Sequence, residues 1–119
     1  MAIEFEIEDR RIDPRTHVIA VSGEVDLFTA PEFKQRMSDL IDAGRSRVVV
    51  DLSETTFIDS SSLGVLIGAH RRLKLRGGSL LVVCDNEAIG KTLKITGLDG
   101  VFTLVASLPE ALDGDAVGA

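Results

Sequence analysis

The chain has little cysteine, few basic residues and no long apolar run, and each shortage excludes a class of protein. Cys84 is the only cysteine among 119 residues, so neither an intrachain disulfide nor a cysteine-cluster metal site can form. Lys and Arg sum to 13 against 19 for Asp and Glu, and the formal charge of −6 disfavours binding to nucleic-acid phosphates. No apolar run approaches the roughly 20 residues that span a bilayer, because Asp51, Glu54 and Asp59 interrupt the longest candidate. We therefore expect neither a nucleic-acid nor a membrane partner.

The composition is that of a folded protein with one core. The apolar fraction of 45% and the mean hydropathy of +0.21 are too high for a disordered acidic chain. A length of 119 residues predicts a single domain. The opening residues, 1–6, lack the basic end and the apolar stretch of a secretory signal. We therefore expect a cytoplasmic protein.

The first third of the chain predicts a hairpin followed by a helix. Apolar and acidic side chains alternate over residues 3–8, which is typical of a strand with one exposed face. A turn at 13–15 and a second strand at 17–22 complete the hairpin, which Gly23 is expected to end. Thr29-Ala30-Pro31-Glu32 matches the capping box that opens a helix, and the apolar stripe of that helix is formed by Phe33, Met37, Leu40 and Ile41.

Strand and helix signals then alternate to the end of the chain. Buried strands are predicted at 48–52, 79–84 and 101–106, and helices from Asp59 to Gly77, at 88–96 and after a capping box at 107–110. This order predicts an α/β fold, a mixed, partly parallel sheet of about five strands packed with about four helices. We expect a single domain over residues 1–112 and a flexible tail at 113–119.

The most informative polar segment is Asp59-Ser60-Ser61-Ser62, between a buried strand and an amphipathic helix. One interpretation is helix capping, in which Asp59 or Ser60 accepts hydrogen bonds from the amides of the first turn. The other is phosphorylation of an exposed hydroxyl, which adds roughly −1.5 to −2 charges beside Asp59. Three consecutive serines are more than a cap requires, so both interpretations stay open.

A second polar group, Gly23-Glu24-Val25-Asp26, follows a buried strand and precedes the first helix. Alone, it reads as a solvated loop. If the second and third strands pair in parallel, however, Asp26 and Asp59 lie at the same end of the sheet. Together with the serines they would then form one acidic, hydroxyl-rich surface.

Enzymatic readings have little support in the sequence. A serine nucleophile needs a base, and only His17 and His70 exist. His17 opens a strand, and His70 lies nearly three helical turns beyond Ser61. There is also no Gly-x-Ser-x-Gly elbow, HExxH, CxxC or phosphate-binding loop. We expect a protein that is not an enzyme and that needs no cofactor or metal.

Taken together, these segments closely resemble the bacterial anti-sigma factor antagonists, the stand-alone members of the STAS domain family. The resemblance runs from about Ile3 to Leu112. It is carried by residues 23–26 with Thr29-Ala30, by the strand 48–52, by residues 57–61 with Leu63-Gly64, and by Gly77-Gly78 before an apolar strand.

The resemblance implies a phosphorylation-controlled switch between partners. The unphosphorylated antagonist binds an anti-sigma factor that is itself a serine kinase, phosphorylation of the second serine of the Asp-Ser-Ser motif releases it, and a serine phosphatase resets it. By position that serine is Ser61. Ser62 stands where the family often has glycine, so Ser60 and Ser62 remain alternative acceptors. The partner surface implied here comprises Glu24, Asp26, Asp59, Ser60, Ser61, Ser62 and Leu63.

Two other functions remain as alternatives. The first is a STAS adaptor that is not phosphorylated and binds within a larger signalling assembly through the same helix. The second is a small serine hydrolase, for which the sequence supplies a serine but no well-placed base.

Overall fold

A five-stranded mixed sheet packed with helices, as the sequence predicts, forms the described part of the chain. The computed structural model describes residues 5–112, apart from the side chain of Asp99. Within this range the elements are β1 (Glu6–Arg11), β2 (Thr16–Val25), α1 (Ala30–Asp42), β3 (Arg47–Ile58), α2 (Ser60–Leu75), β4 (Ser79–Val83), α3 (Glu87–Ile95), β5 (Thr103–Val105) and α4 (Leu108–Leu112), with a 3-10 turn at Leu98–Gly100. The tail predicted at 113–119 and the start of the first predicted strand lie outside the described residues.

The strands lie in sequence order, and this order decides where the helices pack. β1 pairs antiparallel with β2, whereas β2, β3, β4 and β5 are parallel neighbours. Right-handed crossovers between consecutive parallel strands bring the connecting helices to one face of a sheet. Phe33 of α1, Leu66 of α2 and Leu93 of α3 accordingly share the larger core cluster. The opposite face carries a smaller cluster that includes Val49, Leu81 and Ala111 of α4.

The strands β2 and β3 are both longer than predicted, and the extra length builds the site described below. Gly23 does not end β2, which continues to Val25. The register steps from Gly23↔Thr55 to Glu24↔Phe57, so β3 carries one extra residue there. Gly23 adopts a φ of 84°, which only glycine takes up without strain. This conformation lets β2 stay paired with β3 past the extra residue.

Two basic side chains at the carboxyl end of α2, those of Arg72 and the C-cap Arg76, contact the end of α1. Arg72 donates to Ser38 Oγ at 3.2 Å and pairs with Asp42. Arg76 Nη1 donates at 2.6 Å to the Ile41 carbonyl oxygen, which also accepts from the Gly44 amide at 3.1 Å at the end of α1. These contacts fix the two helices side by side.

Asp9 links β1 to its neighbours. One carboxylate oxygen lies 3.2 Å from His17 Nε2 on β2, and the other accepts from Arg36 of α1 at 2.6 Å. The hydrogen bond from His17, with a smaller contribution from Arg36, lowers the pKa of Asp9 below its usual value of 3.8.

Among the described residues, no helix is long and apolar enough to cross a membrane.

Candidate partner-binding site

Parallel pairing of β2 with β3 brings the two polar segments together, as expected from the sequence. Val25 and Ile58 are register partners at the carboxyl ends of the two strands. Asp26 and Asp59 directly follow the last residues of β2 and β3, so both lie at the carboxyl end of these parallel strands. The hydroxyl of Ser62 donates to the Val25 carbonyl oxygen at 2.9 Å and ties the start of α2 to the end of β2.

Asp59 is the N-cap of α2, which confirms the capping interpretation for this residue. Its Oδ1 accepts from the backbone amides of Ser61 at 2.9 Å and Ser62 at 3.2 Å. In return, the Asp59 amide donates to Ser62 Oγ at 2.9 Å, so the two residues form a reciprocal capping box. Ser62 is a helical residue and does not have a positive φ, so serine is accommodated here without backbone strain.

The three serines differ in what the fold requires of them. The hydroxyl of Ser62 is bonded within the capping box, and the residue is only 1% exposed. Ser60 is exposed and Ser61 is half-buried. Within residues 5–112, the hydroxyls of Ser60 and Ser61 make no hydrogen bond. The hydroxyls of Ser60 and Ser61 are therefore available for modification, whereas the Ser62 hydroxyl stabilises the fold.

The loop between β2 and α1 is an ordered turn built on Asp26. Its carboxylate accepts from the amides of Phe28 at 2.9 Å and Thr29 at 3.1 Å. Thr29 Oγ1 accepts from the Asp26 amide at 2.9 Å and donates to the Glu24 carbonyl oxygen at 3.1 Å. The predicted capping box at Thr29 is therefore wrong, because the hydroxyl faces back into the loop and makes no cap bond to α1.

This turn presents two apolar side chains to solvent, which the sequence reasoning missed. Leu27 is 65% exposed and Phe28 is 87% exposed. Single exposed apolar residues are common, whereas contiguous exposed apolar patches mark interaction sites. This adjacent pair is therefore a candidate contact for a binding partner. The available signal was their position between a strand and a helix, outside the apolar stripe of α1.

A family comparison decides what kind of domain carries this surface. The family model described as "STAS domain" matches residues 9–111, which is most of the chain. The chain belongs to the STAS domain family.

Relatives of this STAS domain agree with the resemblance seen in the sequence. The anti-sigma-B factor antagonist of Listeria monocytogenes is 32% identical over 106 residues, which cover 87% of this chain and 90% of the relative. The crystal structure of an anti-sigma factor antagonist from Mycobacterium paratuberculosis superposes with a TM-score of 0.87 at 30% identity, covering 98% of this chain and 96% of the other. The Bacillus cell fate determinant SpoIIAA in its phosphorylated form gives a TM-score of 0.72 at 24% identity over 92% of this chain and 97% of its own, which shows a shared fold.

The exposed surface of this STAS domain differs from the predicted one at two residues. Glu24 is exposed and Asp26 and Asp59 are half-buried, so these three can face a partner together with Ser60 and Ser61. The side chain of Leu63, in contrast, packs in the core with 9% of the residue exposed, and Ser62 is buried. Both residues face the interior because they lie on the side of α2 that packs against the sheet.

The two histidines of the STAS domain are used elsewhere in the fold. His17 bonds to Asp9, and the His70 ring packs edge-on against Phe102 at 5.6 Å between centroids. Among residues 5–112 neither histidine hydrogen-bonds to a serine of the α2 N-terminus. No group of three or more His, Cys, Asp or Glu side chains in that part of the chain is placed to hold a metal ion.

Proposed function

We propose that this STAS domain is an anti-sigma factor antagonist whose binding is switched off by phosphorylation of Ser61. In the unphosphorylated form it binds a serine-kinase anti-sigma factor and so releases the sigma factor. A serine phosphatase removes the phosphate and restores binding. The observation that carries the proposal is the Ser61 hydroxyl in the first turn of α2, which makes no hydrogen bond within residues 5–112. It lies beside Asp59, at the same end of the parallel strands as the exposed turn at Leu27 and Phe28.

The class of partner comes from the relatives. The Listeria monocytogenes protein is named an anti-sigma-B factor antagonist, and the alignment covers most of both chains. SpoIIAA, which shares the fold, has been solved in a phosphorylated form. We infer a cytoplasmic location from a partner of this class, because bacterial transcription takes place in the cytoplasm.

Burial and hydrogen bonding favour Ser61 over Ser62 as the acceptor. A phosphate on Ser62 would need space in the interior and would break the bonds to Val25 and Asp59. Ser60 is as free as Ser61 by geometry, and the match to the family motif favours Ser61. Ser60 therefore serves as the internal comparison for the experiments below.

The charge of a phosphate is large enough to act as a switch. Phosphorylation adds roughly −1.5 to −2 charges. At an effective dielectric of about 20, two unit charges about 6 Å apart repel by about 2.8 kcal/mol. A hundredfold loss of affinity corresponds to the same free energy, about 2.8 kcal/mol. One unfavourable pairing with a carboxylate in the covered interface is therefore sufficient.

The test compares charge at Ser61 with charge at a distant serine. Ser61→Ala should bind the anti-sigma factor like the wild type, and Ser61→Asp should bind at least about tenfold more weakly. Ser79→Asp is the matched control, because Ser79 is exposed and lies at the opposite, amino end of the parallel strands. Wild-type affinity for Ser61→Asp would overturn the switch.

Incubation with the partner kinase and ATP, followed by mass spectrometry, gives an independent readout. We expect one phosphate on Ser61, lost in Ser61→Ala and retained in Ser60→Ala. A domain that binds the partner but gains no phosphate on Ser60, Ser61 or Ser62 would instead be a constitutive STAS adaptor.

We infer further that the domain regulates by binding and does not catalyse a reaction. Membership of a regulatory family supports this, as does the engagement of His17 and His70 away from the serines. Labelling of any of the three serines by an active-site fluorophosphonate would contradict it.

A further inference from the structure

A groove runs between α1 and α2 with Ser61 as one of its lining residues. Its volume is about 250 Å³. Lys34 and Met37 line it from α1, and Gly64, Gly68 and Arg72 line it from α2. The groove is thus continuous with the residue proposed to carry the phosphate.

The two glycines keep this groove open, although the fold does not require them. Neither Gly64 nor Gly68 has a positive φ, and a Cβ added to either would meet no atom within 4 Å. Glycine is less favourable than alanine inside a helix, so both positions lower the stability of α2. Residues four apart lie on one helix face, so the two missing side chains widen the same stretch of groove.

The charges around the groove select for an acidic occupant. Its lining includes two cationic residues, Lys34 and Arg72, and no carboxylate. Asp42 pairs with Arg72, whereas Lys34 is exposed and makes no ion pair within residues 5–112. In a chain with a formal charge of −6, Lys34 therefore marks a local site for a negative group.

We propose that this groove receives a segment of the anti-sigma factor that places an aliphatic side chain over Gly64 and Gly68 and a carboxylate beside Lys34. The inference rests on the proposed function and specifies the chemistry of the partner. It also gives the phosphate a second effect. A phosphate on Ser61 would lie at the groove, attract Lys34 and repel the incoming carboxylate.

The experiment fills the groove without disturbing the fold. The probe is the purified anti-sigma factor, identified beforehand by capture on the Ser61→Ala variant, and binding is measured by calorimetry. Gly68→Leu should weaken binding by about tenfold or more, because its side chain occupies the groove. Gly90→Leu is the matched control, since Gly90 also lies inside a helix with no atom within 4 Å of an added Cβ. It should bind within about twofold of the wild type.

A second pair of variants tests the charge. Lys34→Glu should weaken binding by about tenfold or more. Lys91 is also an exposed lysine, on α3, and Lys91→Glu should change binding by less than about twofold. Thermal unfolding confirms that each variant is folded. Because the charge test does not depend on Gly68→Leu, a folding defect in that variant would leave the proposal open to refutation by Lys34→Glu.

The outcomes separate the groove from the switch. If the wild type binds and Ser61→Asp weakens binding, but Gly68→Leu and Lys34→Glu bind normally, the groove proposal is wrong and the proposed function stands. Failure of the wild type to bind any anti-sigma factor overturns both. Self-association that Gly68→Leu abolishes would show that a second copy of the chain fills the groove, which also overturns the proposal.

Discussion

Replacement of Ser62 by alanine tests whether the hydroxyl of this serine stabilises the fold. Ser62→Ala removes a buried hydroxyl that accepts from the Asp59 amide at 2.9 Å and donates to the Val25 carbonyl oxygen at 2.9 Å. The residue is 1% exposed, so water does not readily replace either bond. The Asp59 amide and the Val25 carbonyl group would therefore each lose this partner at the junction of β2 and α2.

The structure allows the cost to be worked out. A buried polar group left without its partner costs about 1–3 kcal/mol. Alanine has the higher helix propensity and offsets this by a few tenths of a kcal/mol, about 0.5 at most. The expected net loss of unfolding free energy is about 0.5–2.5 kcal/mol. For a chain of this length, 1 kcal/mol corresponds to about 4 °C in Tm, so we expect a decrease of about 2–10 °C.

The assay is urea and thermal denaturation of Ser62→Ala beside Ser60→Ala. Ser60 is exposed and its hydroxyl makes no hydrogen bond with the described residues, so its replacement should change stability by less than about 0.5 kcal/mol. Equal stability of the two variants would refute the assignment of Ser62 to the capping box. It would also reopen Ser62 as a phosphate acceptor.

Three further predictions concern other parts of the domain. Phe28→Ala should weaken partner binding by about tenfold with no loss of stability, and Ile95→Ala, at a 75% exposed residue of α3, is its control. Because the hydrogen bonds of Asp9 with His17 and Arg36 lower the pKa of Asp9 in the folded state, they stabilise the fold above pH 3.8. The advantage of wild type over Asp9→Asn in denaturation should vanish as pH falls below 3.8. Gly78→Ala should destabilise the domain by about 1–3 kcal/mol, since the new methyl group would overlap the Ser46 carbonyl oxygen.

The order of strands and helices was predictable because each of its signals is local. The apolar stripe of α1 and the β-branched run of β3 are each complete within about a dozen residues. The meeting of Asp26 with Asp59 followed from parallel pairing alone, since that pairing aligns the carboxyl ends of the strands. These parts of the site needed no knowledge of side-chain packing.

The capping role of Asp59 was predictable, but the roles of Ser62 and Thr29 were not, because each hydroxyl has several possible partners and the folded chain decides among them. Ser60, Ser61 and Ser62 are chemically alike, and Ser62 is the structural one because it bonds both to Asp59 and to the Val25 carbonyl, 37 residues away in sequence. Thr29 matched a capping motif, but its hydroxyl bonds within the loop, where it accepts from the Asp26 amide and donates to the Glu24 carbonyl oxygen. A motif therefore identified the junction correctly without assigning its hydrogen bonds.

The capping box also explains how one turn can stabilise the fold and carry the proposed switch. The Asp59 carboxylate already occupies the amides of Ser61 and Ser62, so these donors are not free to bind a phosphate on Ser61. Such a phosphate is left facing outward, where it changes the charge of the surface and leaves the structure of α2 intact. Ser61→Asp should accordingly unfold within about 0.5 kcal/mol of the wild type while losing affinity for its partner. If Ser61→Asp instead lost binding because α2 unfolds, its helical circular dichroism would decrease in parallel. That result would contradict this account.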